Sequence, residues 1–95
     1  MILHIEVTAD DIRDGVPTSY PFCPISRAAN RALHGTPYHA ETSQISLRLK
    51  KMSDLIHYRG QLPLKAISFV HHFDEGIKSE FKPFSFDIEL LEQTT

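Results

Sequence analysis

A single cysteine is the strongest candidate for nucleophilic chemistry in this chain. Cys23 stands directly before Pro24 at a predicted helix start, where the helix dipole would stabilise a thiolate and a nearby histidine could act as the base. The alternative is a small buried residue that caps the helix, which agrees with the usual burial of cysteine. Because no nucleophile signature surrounds Cys23, we favour the capping role. The sequence predicts no catalytic residues and a protein that is not an enzyme.

Histidine pairs offer weaker sites for a metal. His71 and His72 are adjacent, so their rings diverge on a helix, whereas helical metal ligands are typically four residues apart. His39 and His57 could become neighbours across a predicted hairpin, which would make at most a weak site. We expect surface histidines, and neither a metal nor a cofactor.

Two groups of basic residues could dock a partner. One lies on the outer side of a predicted helix and the other near a predicted hairpin. A solvated charged face is the simpler interpretation, and an electrostatic docking patch for an acidic protein or a nucleic acid is the functional one. The predicted partner-binding residues are Arg27, Arg31, Arg48, Lys50, Lys51 and Arg59.

The overall charge disfavours general binding to nucleic acid. The net charge is −2 with histidine neutral, whereas phosphate contacts need a basic excess. The six histidines would reverse that sign on acidification, because histidine titrates near ~6.5. Tyr38 and Tyr58 could stack on bases near the basic hairpin, although the aromatic pattern of an RNA-binding sheet is absent. Direct nucleic-acid binding is therefore the second hypothesis.

Well-marked ends predict the helices that would position these residues. Thr8 fits an N-cap with Asp11 at the third helical position, and Gly15 ends this short helix. Two longer helices, in 24–35 and 62–76, each begin at a proline and end at a glycine. Their apolar stripes are Ile25, Ala28, Ala29, Ala32 and Leu33, and then Leu64, Ala66, Ile67, Phe69, Val70 and Phe73.

Alternation of apolar and polar residues predicts the strands. Residues 38–42 either extend the second strand or lead into it irregularly, and Gly60 should end the third. The predicted strands are Met1 to Thr8, Ile45 to Lys50, Leu55 to Arg59 and Pro83 to Leu90, with a turn at Lys51 to Asp54.

These elements predict one α+β domain over residues 1–95. The order β-α-β-β-α-β places two helices on one face of an antiparallel sheet, and a ferredoxin-like split βαβ is the preferred arrangement. A different strand order with the same elements is the alternative. An open sheet leaves exposed edges, so a homodimer is also expected as a candidate assembly.

Targeting signals are absent from the sequence. The N-terminal apolar run is too short for a signal peptide, and no segment approaches the ~20 apolar residues of a membrane span. One cysteine fits a reducing compartment. We therefore expect a cytosolic protein that does not enter a membrane.

Three segments carry a resemblance to a family. They are HIEVTADDIRDG at 4–15, CPISRAANRAL at 23–33 and LPLKAISFVHHFDEGIKSEFKPFSFDIEL at 62–90. Together they resemble small bacteriophage proteins that have an ADDI-type segment, a CPIA-like helix start, an FD-x-G turn and a PFxF strand. Residues 36–60 carry no matching motif, and Ser26 stands where the family usually has an alanine-like residue.

The resemblance implies a phage or prophage origin and a place in the bacterial host cytoplasm. It brings no catalytic residues to this chain. Small phage proteins often block host proteins, including defence nucleases. The leading hypothesis is thus a non-enzymatic binding protein whose partner is a host protein or protein–nucleic acid complex, such as CRISPR–Cas. The alternative is a small nucleic-acid-binding accessory protein that uses the basic hairpin.

Overall fold

The computed structural model describes residues 1–51, 56–76 and 81–94. Three helices and six strands lie in these ranges. The helices are α1 Ala9–Asp14, α2 Pro24–Ala32 and α3 Leu64–Asp74. The strands are β1 Ile2–Val7, β2 Tyr38–Thr42, β3 Ser46–Lys51, β4 Ile56–Gln61, β5 Phe84–Glu89 and β6 Leu91–Thr94. The turn predicted between β3 and β4 falls largely outside the described residues.

The strands form two antiparallel sheets. β1 pairs with β5, and the second sheet has the strand order β2-β3-β4-β6. The first and last predicted strands therefore pair with each other, and so do the two middle ones, β3 and β4. The α+β class is confirmed, and the arrangement is compatible with a small split βαβ-type fold. Residues 38–42 form a strand of their own beside β3.

One residue links the two sheets. Leu90 separates β5 from β6, and it exchanges main-chain hydrogen bonds of 2.7 and 3.1 Å with Met1. After Leu90 the chain leaves β1 and pairs with β4 instead. Burial alternates from Phe86 to Leu91, so Asp87, Glu89 and Leu91 follow one another on one continuous outward row.

Gly60 lies inside β4, so the prediction that it ends this strand is wrong. A Cβ atom at this position would collide with the main-chain oxygen of Glu89 and press on the side chains of Ile88 and Leu90. The glycine is there because the C-terminal strand passes too close for any side chain. It marks the approach of the two sheets rather than a turn.

Helix α2 packs against the sheets through a narrow apolar stripe. Ile25, Ala28, Ala29 and Leu33 are buried, whereas Ala32, predicted to join them, is exposed. The alanines allow the close approach because they carry no bulk beyond Cβ.

The two helix ends that were predicted for α2 are present. Pro24 occupies the first turn, where a missing N–H costs nothing. Gly35 adopts a positive φ of 87° shortly after the helix ends, a conformation that glycine tolerates best. The short helix α1 has the predicted N-cap at Thr8, and the side chain of Asp11 completes a capping box with it.

Helix α3 contributes the aromatic part of the core. Phe69 and Phe73 are buried, and the Phe69 ring lies 4.8 Å from those of Phe81 and Phe84. Leu64, which was predicted to lie on the apolar face, is instead 83% exposed at the first helical position. The helix therefore leaves one large apolar side chain in solvent.

Candidate functional site

Cys23 caps α2, as predicted. Its buried Sγ accepts a hydrogen bond from the Ser26 main-chain N–H at 3.5 Å and contacts Ser26 Oγ at 3.4 Å. None of its hydrogen bonds within the described residues is to a histidine. The arrangement supplies a helix cap and does not pair the thiol with a base.

Ser26 is part of a buried polar cluster that the sequence did not predict. Its hydroxyl donates to the main-chain oxygen of Tyr20 and lies 2.6 Å from Thr42 Oγ1. Ser26 and Thr42 are almost completely buried. The cluster ties the N-terminus of α2 to β2 and to the loop that precedes the helix, and its polar groups are mutually satisfied.

His71 and His72 are exposed on α3, and their rings do not diverge as expected but meet edge-on with centroids 5.6 Å apart. His39 is on β2 and His57 on β4, with β3 between them, so the expected proximity across a hairpin is wrong. His71 contacts Glu75 at 3.2 Å, and His72 lies 2.8 Å from the main-chain oxygen of Ser68. Within the part of the chain that the structure describes, no group of three ligating side chains could hold a metal.

Arg27 and Arg31 face a carboxylate of their own chain. Asp11 is fully buried, and Arg31 donates to its two oxygens at 2.9 and 2.7 Å. Arg27 lies 3.7 Å from the same carboxylate. Burial by itself raises the pKa of Asp11, but the hydrogen bonds from Arg31 and Thr8 outweigh it and the net pKa is lowered. These two arginines thus neutralise a buried charge.

Arg48 and Arg59 form the centre of the second predicted basic group. They lie directly opposite each other on β3 and β4, and both are exposed. Neither guanidinium group makes an ion pair or a hydrogen bond with another described residue. Like charges in this cross-strand position destabilise a sheet, whereas Glu41 lies directly opposite Arg48 on its other side, on β2.

The other two basic residues of this group have separate surroundings. Lys50 lies 3.3 Å from Glu41 on the same outward face as Arg48. Lys51 is half-buried and opposite Tyr38, on the side that faces the core. The basic face therefore consists of Arg48, Arg59 and Lys50.

The tyrosines do not lie beside this basic face. Tyr58 is opposite Leu49 in the sheet and Tyr38 contacts it edge-on at 5.6 Å. Both rings pack against the core. They cannot stack on a nucleic-acid base bound over Arg48 and Arg59, because the sheet separates them.

The β2–β3 turn holds an apolar side chain in solvent. The Ser43 N–H donates to the main-chain oxygen of Ser46 at 2.8 Å, and the Ser43 hydroxyl oxygen accepts from the Ser46 N–H at 3.0 Å. Leu62 N–H donates to the Ile45 oxygen at 2.9 Å. Ile45, predicted to face the core, is instead 53% exposed.

Three clefts meet at this turn. A cleft of 350 Å³ lies between Ile45 and Leu64, one of 230 Å³ lies between Ile45 and Arg59, and one of 180 Å³ lies between Ser43 and Arg48. Arginine is among the side chains most enriched at protein interfaces. We call the residues Ser43 to Ser46, Arg48, Arg59 and Leu64 the turn surface, and it is the candidate functional site.

The outward face of the other sheet is acidic. Glu6, Asp87 and Glu89 point outward from β1 and β5. His4 lies among them, with Nδ1 2.6 Å from Asp87 and Nε2 3.4 Å from Glu6. The hydrogen bond to Asp87 is the main cause that raises the pKa of His4, with slight burial opposing it. The two sheets therefore present faces of opposite charge.

No helix in the described ranges is long and apolar enough to cross a membrane. Comparisons with protein-family models, curated proteins and solved structures found no match to this chain.

Proposed function

We propose that the protein is a non-enzymatic binding protein that docks on an acidic surface of its partner through the turn surface. The observation that carries the proposal is the exposed Ile45, which lies on a hydrogen-bonded turn beside Arg48 and Arg59. All three side chains are exposed, and neither arginine is paired within the described residues.

The apolar and the charged residues have complementary roles in this proposal. Ile45 and Leu64 border the largest cleft of the turn surface, where a partner's apolar side chain would exclude water. Because the turn is already ordered by Ser43, binding costs little conformational entropy there. Arg48 and Arg59 select an acidic partner and accelerate its approach.

The partner in this proposal is a protein, or the protein part of a protein–nucleic acid complex, in a bacterial host. The resemblance to small bacteriophage proteins supports a phage origin and action in the host cytoplasm. Blocking a defence complex such as CRISPR–Cas would require only tight binding and no chemistry. A small protein with a preformed docking surface is suited to that role.

The proposal is tested by affinity capture from a bacterial lysate together with a CRISPR–Cas interference assay. We expect Ile45→Glu and Arg48→Glu each to weaken retention of the partner at least tenfold, since a charge in an apolar contact and a reversed ion pair each cost about 2 kcal/mol or more. The same variants should lose any inhibition of interference.

Lys65→Glu is the matched control, because Lys65 is exposed on α3 and lies outside the turn surface. It should retain the partner at the wild-type level. Equal retention by the control and both turn-surface variants would refute docking at this surface.

Binding of nucleic acid through the basic hairpin is the second candidate, and the facing pair Arg48 and Arg59 favours it. Affinity for DNA or RNA would then fall steeply with salt as counterions are released. The inward position of Tyr38 and Tyr58 removes the stacking contribution, so we rank this function below protein binding. Absence of binding at low salt would eliminate it.

A further inference from the structure

The outward face contains a second feature, which lies where the two sheets meet. Ile2 is directly opposite Glu89 on β5, and Leu91 is directly opposite Arg59 on β4. Glu89 and Leu91 are two residues apart on the continuous outward row. We call these four residues the seam.

The seam exposes much apolar surface. Ile2 is 72% and Leu91 59% exposed, so two large aliphatic side chains stand in solvent, each opposite a charged residue on the neighbouring strand. Single exposed apolar residues are ordinary in soluble proteins, whereas adjacent ones mark contact surfaces.

The charges on either side of the seam are opposite in sign. Glu89 adjoins the acidic face of β1 and β5, which also carries Glu6 and Asp87. Arg59 adjoins the basic face, where Arg48 and Lys50 lie. Neither Glu89 nor Arg59 makes an ion pair with another described residue, so both remain available to a partner.

We propose that a second copy of this chain occupies the seam, forming a two-fold symmetric dimer. In a two-fold interface, each contact between residues i and j occurs twice. An axis through the seam places Glu89 of each copy against Arg59 of the other, while Ile2 and Leu91 pack at the centre. The acidic face of each copy then lies towards the basic face of its partner.

Charge complementarity singles out a second copy as the occupant. The seam presents one positive and one negative side chain beside two apolar ones, which is the pattern that matches its own image after a two-fold rotation. A uniformly acidic partner would be repelled by Glu89, and a uniformly basic one by Arg59. The contact is small, so we expect a dimer with a Kd of about 10–100 µM.

Sedimentation velocity over a concentration series tests the proposal on the whole chain. We expect a reversible monomer–dimer equilibrium that weakens at least fivefold when salt is raised from about 0.05 to about 0.5 M. Arg59→Glu alone and Glu89→Arg alone should each weaken association at least tenfold. Mixing these two variants should restore it, because both contacts across the axis then regain opposite charges.

Ile2→Glu and Ile45→Glu separate this dimer from the docking proposed above. Ile2→Glu should abolish self-association and leave partner capture intact. Ile45→Glu should abolish partner capture and leave self-association intact. Thermal unfolding checks that each variant is folded. The proposal is overturned if the chain stays monomeric at about 1 mM in low salt, if the mixed variants stay monomeric, or if Ile2→Glu still dimerises.

Discussion

At the scale of single residues, the buried carboxylate of Asp11 is the most consequential group. Within the described residues, its negative charge is balanced by Arg31, which donates to both oxygens, and by the more distant Arg27. From the sequence alone, Arg27 and Arg31 on a helix surface are predicted to form a docking patch. The structure gives it an intramolecular carboxylate instead.

We predict that Arg31→Ala destabilises the protein by about 3 kcal/mol at pH 7, because it leaves a buried charge without its main partner. Because the pKa of Asp11 is lowered in the folded protein, the ionised carboxylate stabilises the fold at pH values above its unfolded pKa of ~3.9. This stabilisation is lost as the pH falls through the folded pKa. The difference in the free energy of unfolding between Arg31→Ala and the wild type should thus shrink below about pH 4. Urea unfolding across pH measures it.

Arg13→Ala is the control for that measurement, since Arg13 is exposed and pairs with surface carboxylates. Its effect should stay within about 0.5 kcal/mol. If Arg31→Ala loses no more stability than Arg13→Ala, the buried Asp11 does not depend on its ion pair with Arg31.

His4 supplies a second prediction at this scale. The hydrogen bond to Asp87 raises the pKa of His4, so Asp87→Asn should lower that pKa towards ~6.5, as followed by NMR titration. A group whose pKa is raised by folding stabilises the protein at pH values below its unfolded pKa. That stabilisation is lost as the pH rises through its folded pKa. The stability difference between wild type and Asp87→Asn should therefore be present at mildly acidic pH and vanish at alkaline pH. An unchanged titration would contradict the pairing.

At the scale of elements, Gly60 decides how the two sheets approach each other. The main chain of the C-terminal strand occupies the space where a Cβ atom would lie. We predict that Gly60→Ala destabilises the protein by about 1–3 kcal/mol through overpacking, seen as a lower urea midpoint with an unchanged slope. Gln61→Ala, at the exposed neighbour, should change stability by less than about 0.5 kcal/mol. A midpoint equal to wild type would mean that the strands can separate without cost.

Ser26 shows the same dependence on a neighbouring element. Its hydroxyl is hydrogen-bonded to Tyr20 and Thr42. The serine therefore has a local explanation in this chain. Thr42 supplies the second hydroxyl from β2, a strand whose existence the sequence left open.

At the scale of the whole molecule, the charge of −2 conceals two faces of opposite sign. Arg59 belongs both to the turn surface and to the seam, so self-association and partner docking compete for it. If both proposals hold, partner binding should weaken as the protein concentration rises into the range of the dimer, and Ile2→Glu should remove that dependence. Isothermal titration at two protein concentrations measures the effect.

The amino-acid sequence by itself determined the features that depend on neighbours in the chain. Helix starts at Thr8 and Pro24, the positive-φ glycines Gly35 and Gly76, and the alternation in β1 and β5 all follow from local hydrogen bonding and side-chain periodicity. These signals also sufficed for the α+β class, because each element must bury its own apolar side.

Only the tertiary structure decided which residues meet. Ile45 and Leu64, which were expected in the core, lie at the surface, and Arg31 pairs with Asp11. The strands form two sheets, which separate at Leu90. Such outcomes depend on groups far apart in the chain, and a local pattern is compatible with several of them. The candidate site was therefore predictable only in Arg48 and Arg59, whose exposure follows from strand alternation, while the cleft-forming turn beside them required the packed fold.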